Sequence, residues 1–324
     1  MYEQFYGLKE KPFEITPDPR FLYMSEKHRE AYAHLTYALN ETKGFTVITG
    51  EVGTGKTTLI QMMMARLDGH TRTAHLFNPK LSTRDFFKYI CHDLGLKTDG
   101  LVTKGELLTL LHNFLLECYA RKERVVLIVD EAQTLSPRLL EEVRLLTNLE
   151  TPKSKLLQVI LMGQPELDQV LSDPRFRQLK QRISVRYNLK PLNRDETKEY
   201  IEKRLKVAGA RDCHLFDEGA IREIHRRSSG IPRLINVLCD NALVTGYVEE
   251  KRVIDKGIIR EVAKDMEGPL MKPRAVWNYL FFSVIFMIVL MGILFFWVNA
   301  VSLADLPTAV DSASNVVRVK LVRQ

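Results

Sequence analysis

The sequence has few of the residues that hold cross-linked or metal-dependent folds together. Its four cysteines, Cys91, Cys118, Cys213 and Cys239, form no Cys-x-x-Cys pair. Its eight histidines form no His-x-x-x-His or His-Glu-x-x-His pattern. Disulfide frameworks and zinc sites need such spacings, so we predict free buried thiols in a reducing compartment and neither structural nor catalytic zinc.

Secretory and DNA-binding signals are also missing. The first residues, Met1-Tyr-Glu-Gln-Phe5, have neither a basic start nor an apolar stretch, so we predict no signal peptide. There is no helix-turn-helix or zinc-finger pattern. The net charge of +7 therefore has two interpretations, attraction to nucleic acid or to an anionic membrane surface.

A glycine-rich segment is the strongest motif that is present. An apolar, β-branched run at 45–49 leads into Gly50-Glu-Val-Gly-Thr-Gly-Lys-Thr57, and a helix is predicted from 56 to about 67. This is the phosphate-loop pattern in its required context of strand and helix. Backbone N–H groups of such a loop surround a polyphosphate, its lysine reaches the β- and γ-phosphates, and its Thr hydroxyl binds Mg²⁺. The predicted phosphate-binding residues are Gly50, Glu51, Val52, Gly53, Thr54, Gly55, Lys56, Thr57 and Thr58.

A second motif supports the first. The apolar run 125–129 follows Arg124 and ends in Asp130-Glu131, which predicts a buried parallel strand with two carboxylates at its C-terminal edge. Open α/β sheets bind ligands at that edge. We expect Asp130 to hold Mg²⁺, directly or through water, and Glu131 to orient or deprotonate an attacking water.

The surrounding segments complete an α/β domain. Gln164 follows a predicted strand and is placed to sense a γ-phosphate or its attacking water. The basic stretch 173–186 contains Arg182 and Arg177. We predict Arg182 first, and Arg177 second, as an arginine finger for a neighbouring subunit's nucleotide, with a solvated charged face as the alternative. Helices are predicted at 25–39, 82–94, 104–120 and 138–149, and strands at 73–78, 156–163 and 183–189.

The pattern becomes helical throughout from Leu192. Gly230-Ile-Pro-Arg233 opens the third helix of this region, which places Arg233 at a helix N-terminus that faces the nucleotide. Residues 1–24, rich in aromatics and prolines, predict an irregular clasp that walls the base pocket, or else a simple structural lead-in. The predicted helices of the region are 194–207, 217–228, 232–247 and 255–265.

The composition changes abruptly at residues 276–298, an uncharged and nearly unbroken apolar run. A helix of that length covers about 34 Å, enough for a hydrocarbon core of about 30 Å. Aromatic residues lie near both ends of the run, and Lys272 and Arg274 precede it. We therefore predict a transmembrane helix with residues 1–275 in the cytoplasm.

The predicted organisation has five parts. They are an α/β nucleotide-binding domain with the clasp at 1–191, a helical lid at 192–267, a linker at 268–275, the transmembrane helix at 276–298 and a short tail at 299–324. The tail would lie across the membrane, as a disordered segment or as a strand that pairs with a partner's sheet.

Several short motifs together carry a family resemblance. They are Phe5-Tyr-Gly-Leu8, Lys11-Pro-Phe13, Thr16-Pro-Asp-Pro-Arg20, Ser25-Glu-Lys-His-Arg-Glu-Ala31, Gly50–Thr57, Asp130-Glu-Ala-Gln133, Gly163-Gln-Pro-Glu-Leu167 and Gly230-Ile-Pro-Arg-Leu-Ile-Asn236. The chain resembles AAA+ ATPases over about residues 1–267, and within them the ExeA/GspA (general secretion pathway protein A) group. The N-terminal motifs distinguish this group from generic P-loop proteins.

The resemblance implies ATP as the nucleotide, sensor roles for Gln164 and Arg233, and hydrolysis that depends on a homo-oligomer, with a ring as one arrangement. It also implies an ATPase on the cytoplasmic side of the bacterial inner membrane, tied by one helix to an envelope machine. Group members can carry a periplasmic peptidoglycan-binding domain, and we expect a short form without it. Such a form is more similar to relatives that serve pilus biogenesis or exopolysaccharide and exosortase systems.

Two alternatives to an envelope ATPase stay open. One is a DNA-associated AAA+ ATPase that resembles transposition helper proteins. The positive charge favours it, whereas the apolar span and the missing DNA-binding motifs argue against a nucleic-acid partner. The other is a slow nucleotide switch that acts as a scaffold. The sequence does not separate it from a working motor, because turnover depends on site geometry.

Overall fold

A parallel β-sheet organises the first part of this computed structural model, which describes residues 1–16, 18–77, 79–152, 154–267 and the single positions 287 and 291. The spatial strand order is β2-β3-β4-β1-β5, and every pairing is parallel. The sheet confirms the predicted α/β class. In chain order the strands are β1 Phe45–Gly50, β2 Thr71–Leu76, β3 Arg124–Val129, β4 Gln158–Gly163 and β5 Val185–Leu189.

Burial explains why the central strands β1 and β4 are largely apolar. Every residue of β1 and β4 is buried, as expected when helices cover both faces of a parallel sheet. In the register, Thr46 of β1 lies opposite Ile160 of β4 and Val185 of β5. Because all strands run the same way, the segments that follow β1, β3 and β4 meet at one edge of the sheet.

Twelve α-helices are described, and side-chain caps fix the starts of many of them. Ser25, Ser82, Thr103 and Asn193 each accept a backbone N–H bond at a helix start. The helices are α1 Tyr2–Tyr6, α2 Glu26–Asn40, α3 Lys56–Ala65, α4 Thr83–Asp93, α5 Lys104–Ala120, α6 Pro137–Leu146, α7 Glu166–Ser172, α8 Arg177–Arg182, α9 Arg194–Val207, α10 Glu218–Ser228, α11 Pro232–Val248 and α12 Lys256–Glu267.

The two faces of the sheet carry separate apolar layers. Phe45 and Val47 of β1 pack with buried residues of α4 to α8 on one face. Ile48 of the same strand packs with residues of α2 and α3 on the other. The alternation along β1 places α3, which begins at the phosphate loop, directly against the second face.

A third apolar cluster joins the lid, here helices α9–α12, to the clasp, residues 1–24 of the chain. Tyr2, Tyr6, Leu8, Phe13 and Phe21 of the clasp are buried together with residues of all four lid helices. The backbone N–H of Lys9 donates to the carbonyl of Ala208 at the end of α9, at 2.8 Å. The clasp therefore shares its apolar packing with the lid, whereas the sequence grouped it with the α/β domain; the domain boundaries themselves stay predictions.

Several predicted elements differ from the observed ones at their ends, among them strand β2, predicted at 73–78 and observed at Thr71–Leu76. Helix α6 stops at Leu146, three residues early, because Thr147 to Leu149 form tight turns back onto α6. Strand β4 starts at Gln158, because the N–H of Leu156 bonds to Leu149 and not to a neighbouring strand. Strand β5 starts at Val185, since the short helix α8 extends to Arg182.

The C-terminal predictions fall outside the described part of the chain. The linker 268–275, the transmembrane helix 276–298 and the tail 299–324 are not described, apart from positions 287 and 291. Within the described residues, no helix combines the length and the apolar character needed to cross a membrane.

Candidate functional site

The phosphate loop follows β1 and closes with the first turn of α3. Gly53 and Gly55 have φ angles of +82° and +98°, a left-handed conformation that side chains rarely adopt. The Lys56 Nζ donates to the carbonyls of Gly50 at 2.7 Å and Glu51 at 2.9 Å. Burial lowers the pKa of Lys56, although Glu131 and Asp130 oppose the shift. The loop thus holds one buried cation at the sheet edge, as the motif predicts.

The two predicted Mg²⁺ ligands lie side by side. Thr57 Oγ1 donates to Asp130 Oδ2 at 2.8 Å, and the Asp130 side chain is buried. Hydroxyl and carboxylate oxygens are ligands that Mg²⁺ prefers. The pair therefore fits the predicted ion, with Asp130 brought to Thr57 from the next-but-one strand of the sheet.

Glu131 is held in place by two glutamines. Its backbone has a φ of +52°, an uncommon value for a residue with a side chain and typical of functional sites. Its Oε2 accepts from Gln133 Nε2 at 2.6 Å and from Gln164 Nε2 at 3.0 Å. Gln133 Oε1 in turn accepts the backbone N–H of Gln164 at 3.1 Å. The structure thus brings the predicted base and the predicted sensor Gln164 into one network.

Gln133 is a site residue to which the sequence assigned no role. It belongs to the Asp-Glu-Ala-Gln motif, but an amide two residues after a glutamate carries no chemical signature of its own. Only the approach of the β4 end to the β3 end shows that Gln133 bridges Glu131 and Gln164.

His28 is a second residue that the sequence did not single out. It lies on α2, is 4% exposed, and its Nε2 bonds to the carbonyl of Thr54 in the phosphate loop at 2.9 Å. The Nδ1 atom pairs with the hydroxyl of Ser25, the N-cap of α2, at 2.7 Å. A Cβ atom on Gly55 would lie 3.1 Å from the imidazole. His28 therefore supports the loop from behind, and burial lowers its pKa.

The lid touches the phosphate loop at the start of α11. The backbone N–H of Arg233 donates to the carbonyl of Gly53 at 3.3 Å. A Cβ on Gly53 would approach the Cβ of Arg233 to 2.6 Å. The Arg233 side chain is exposed and makes no hydrogen bond or ion pair to the described residues. Arg233 thus stands at a helix start beside the loop, where the sequence predicted it.

A cavity of about 370 Å³ lies between the phosphate loop, the lid and the clasp. Its floor includes Lys56, Thr57 and Glu131. Because clasp residues border the cavity, the structure favours the clasp as a wall of this cavity over a simple lead-in. The lining from the clasp and the lid includes Glu14, Ile15, Thr16, Phe21, Tyr23, Tyr200, Arg204, Arg233 and Asn236.

The two candidate finger arginines lie away from this cavity. Arg182 is half-buried, and its Nη1 donates to Thr147 Oγ1 at 2.8 Å and Asn148 Oδ1 at 2.5 Å, just beyond α6. Its Nε and Nη2 have no partner among the described residues. Arg177 is exposed and likewise has no partner in the described part of the chain. Neither arginine reaches its own subunit's phosphate loop, so a role in hydrolysis requires a second copy.

Comparison with protein families supports the nucleotide-binding assignment. A family model described as an AAA domain matches residues 39–171. General secretion pathway protein A of Aeromonas hydrophila is 47% identical over 268 residues, which are 83% of this chain and 49% of that protein. The chain thus spans about half the length of this curated relative. The predicted resemblance to the ExeA/GspA group of AAA+ ATPases is confirmed.

Solved structures are similar in fold. The Cdc6p structure from Pyrobaculum aerophilum has a TM-score of 0.62 at 16% identity and covers 78% of this chain and 70% of its own. The ORC2 protein of Aeropyrum pernix, solved with ADPNP and ADP, has a TM-score of 0.58 at 17% identity and covers 83% of this chain and 74% of its own. At these identities the likeness shows the fold alone.

Proposed function

We propose that this AAA+ ATPase, similar to general secretion pathway protein A, hydrolyses ATP at a site shared between neighbouring copies of the chain. The observation that carries the proposal is the position of Glu131. Its Oε2 is occupied by the amides of Gln133 and Gln164, whereas its Oε1 has no partner among the described residues. One carboxylate oxygen is thus fixed, and the other is available to a water molecule.

The chemistry is phosphoryl transfer to water. Lys56 and the N–H groups of the loop bind the β- and γ-phosphates, and Glu131 Oε1 accepts a hydrogen bond from the attacking water and then its proton. Gln164 keeps the carboxylate aimed at the γ-phosphate. Mg²⁺, held by Thr57 and Asp130, would neutralise phosphate charge when bound.

A neighbouring copy of the chain supplies a further cation, Arg182, to the nucleotide site. Anchoring of Arg182 through Nη1 alone leaves its Nε and Nη2 free to reach a γ-phosphate in the next subunit. Such an arginine contributes about 10³-fold or more to the rate. Arg233, on the lid, contacts the phosphates from its own subunit and couples hydrolysis to lid movement.

ATP hydrolysis drives the assembly or regulation of a complex in the cell envelope. The apolar segment 276–298 anchors the chain in the bacterial inner membrane, with the ATPase in the cytoplasm and residues 299–324 in the periplasm. We assign the partner to a secretion, pilus or exopolysaccharide complex, because the relative that is 47% identical is a general secretion pathway protein. The DNA-associated alternative gains only the fold likeness to ORC2 and Cdc6p, which carries no argument about DNA.

Replacing the proposed base tests the function. In Glu131→Gln, turnover of ATP by the full chain should fall by about 10²- to 10⁴-fold, while the ATP dissociation constant stays within about threefold because the phosphate loop is intact. Turnover is measured by phosphate release and binding by calorimetry. Glu117→Gln, an exposed position on α5, is the matched control. Undiminished turnover in Glu131→Gln would remove the assignment.

A further inference from the structure

Arg204 of α9 is a buried cation whose hydrogen-bond acceptors are all neutral groups. It is 7% exposed and forms no ion pair with the described residues. Its Nε donates to the carbonyl of Pro12 at 2.5 Å, its Nη2 to the carbonyl of Glu14 at 3.1 Å and its Nη1 to the hydroxyl of Tyr200 at 3.1 Å. The Asp18 carboxylate acts on this guanidinium only through space, and burying a charge that lacks a direct ionic partner is costly. The neutral acceptors that surround this guanidinium therefore indicate a specific task.

The contacts of Arg204 close a ring between the clasp and two lid helices. The Tyr200 hydroxyl donates to Asn236 Oδ1 on α11 at 2.7 Å. Asn236 Nδ2 donates to the carbonyl of Glu14 at 3.3 Å. The Glu14 carbonyl thus accepts from both α9 and α11. The guanidinium carbon of Arg204 also lies 4.8 Å from the centre of the Phe21 ring, so the clasp is held by hydrogen bonds and by stacking.

This ring borders the end of the cavity away from the sheet. Arg204, Tyr200 and Asn236 line the same cavity as Lys56, and so do Ile15 and Thr16 of the clasp, which directly follow the fixed Glu14 carbonyl. Ile15 is 56% exposed, so its apolar side chain is accessible at the cavity. The clasp backbone and Ile15 thus present polar and apolar groups suited to the flat face and edge of a base.

We infer that Arg204 is a positioning residue that fixes clasp residues 14–16 against the lid and so sets the discrimination between a nucleotide and a bare polyphosphate. The inference rests on the proposed function, because it concerns the same cavity. Arg204 does not touch the phosphates. It acts through the Pro12 and Glu14 carbonyls, and the effect is confined to the end of the cavity that holds the base.

Two conservative variants test this role. Arg204→Lys keeps the charge but loses the fork of donors, and Tyr200→Phe keeps the ring but breaks the link from Arg204 to Asn236. Calorimetry on the full chain, with Mg²⁺ present, gives dissociation constants for the β,γ-imido analogue of ATP and for inorganic tripolyphosphate. For Arg204→Lys we expect about tenfold weaker binding of the ATP analogue, as for one or two lost hydrogen bonds, and less than twofold change for tripolyphosphate.

Matched variants separate the inference from the proposed function. Arg194→Lys, an exposed position on the same helix, should leave both constants unchanged, and Lys56→Ala should abolish binding of both ligands. Equal weakening of both ligands in Arg204→Lys and Tyr200→Phe, or no change in either, overturns the inference alone. A wild-type chain that binds both ligands equally tightly also overturns it. A wild-type chain that binds neither overturns the proposed function as well.

Discussion

The two ends of the nucleotide cavity are built in different ways. The phosphate end consists of segments that follow three parallel strands, residues 50–58, 130–133 and 164, which the sheet brings to one edge. The base end consists of the clasp and the lid, joined by Arg204, Tyr200 and Asn236 in hydrogen bonds that span 190 to 222 residues of sequence. In the proposed function the chemistry takes place at the sheet edge, whereas the base is recognised by the clasp and the lid, which share one apolar cluster.

Removal of the Gln133 side chain tests whether catalysis at the phosphate end can change without a change in recognition of the base. In Gln133→Ala, Glu131 loses one of its two amide donors, so we expect kcat to fall about tenfold. The ratio of the dissociation constants for the ATP analogue and tripolyphosphate should not change. Steady-state phosphate release and calorimetry measure the two quantities.

The control for this variant is Gln169→Ala, an exposed glutamine on α7, which should behave as wild type. A change in the ratio of the two dissociation constants, with kcat unaltered, would contradict the separation of catalysis at the phosphate end from recognition at the base end.

We expect the smallest effect, a change in the pH dependence of stability, from His28. This residue joins α2 to the phosphate loop behind the cavity. Burial lowers its pKa below the ordinary value of 6.5, so near and below that pH the unfolded chain binds a proton that the folded chain does not. Its contribution to stability is therefore complete above about pH 6.5 and is lost as the pH falls towards the folded-state pKa. The loss is at most about 1.4 kcal/mol per pH unit.

The test is denaturant unfolding of His28→Gln between neutral and mildly acidic pH. The variant should lose less stability on acidification than wild type does. Burial lowers the pKa values of His75 and His225 as well, so the difference between the two proteins is the informative quantity. His92→Gln, at an exposed site on α4, should match wild type. Identical pH slopes for His28→Gln and wild type contradict the prediction.

The residues of the phosphate end could be predicted from the sequence because they lie within short motifs. The spacing from Gly50 to Thr57 itself dictates a loop that binds phosphate, and an apolar strand that ends in Asp130-Glu131 must bring both carboxylates to the sheet edge. Helix α5, predicted at 104–120, has the observed bounds because a capping box at Thr103 and Glu106 fixes its start.

The base end was much less accessible to prediction. The aromatic residues of the clasp show that it packs, but not against what; only the third apolar cluster shows that its partner is the lid. Arg204 looks like any other charge on a helix of mixed charge until its burial is known. His28 and Gln133 were missed for a similar reason, since each acts on a segment that folding brings to it.

The most direct test of the shared site is the ATPase rate per subunit of the full chain as a function of protein concentration. The wild-type rate should rise with concentration to a plateau, and Arg182→Ala should remain low and flat, about 10³-fold below that plateau, while still binding ATP. Arg177→Ala, at the exposed neighbouring site, should keep the concentration dependence. A wild-type rate per subunit that does not depend on concentration, and that Arg182→Ala leaves unchanged, would contradict hydrolysis at a site completed by a neighbouring copy.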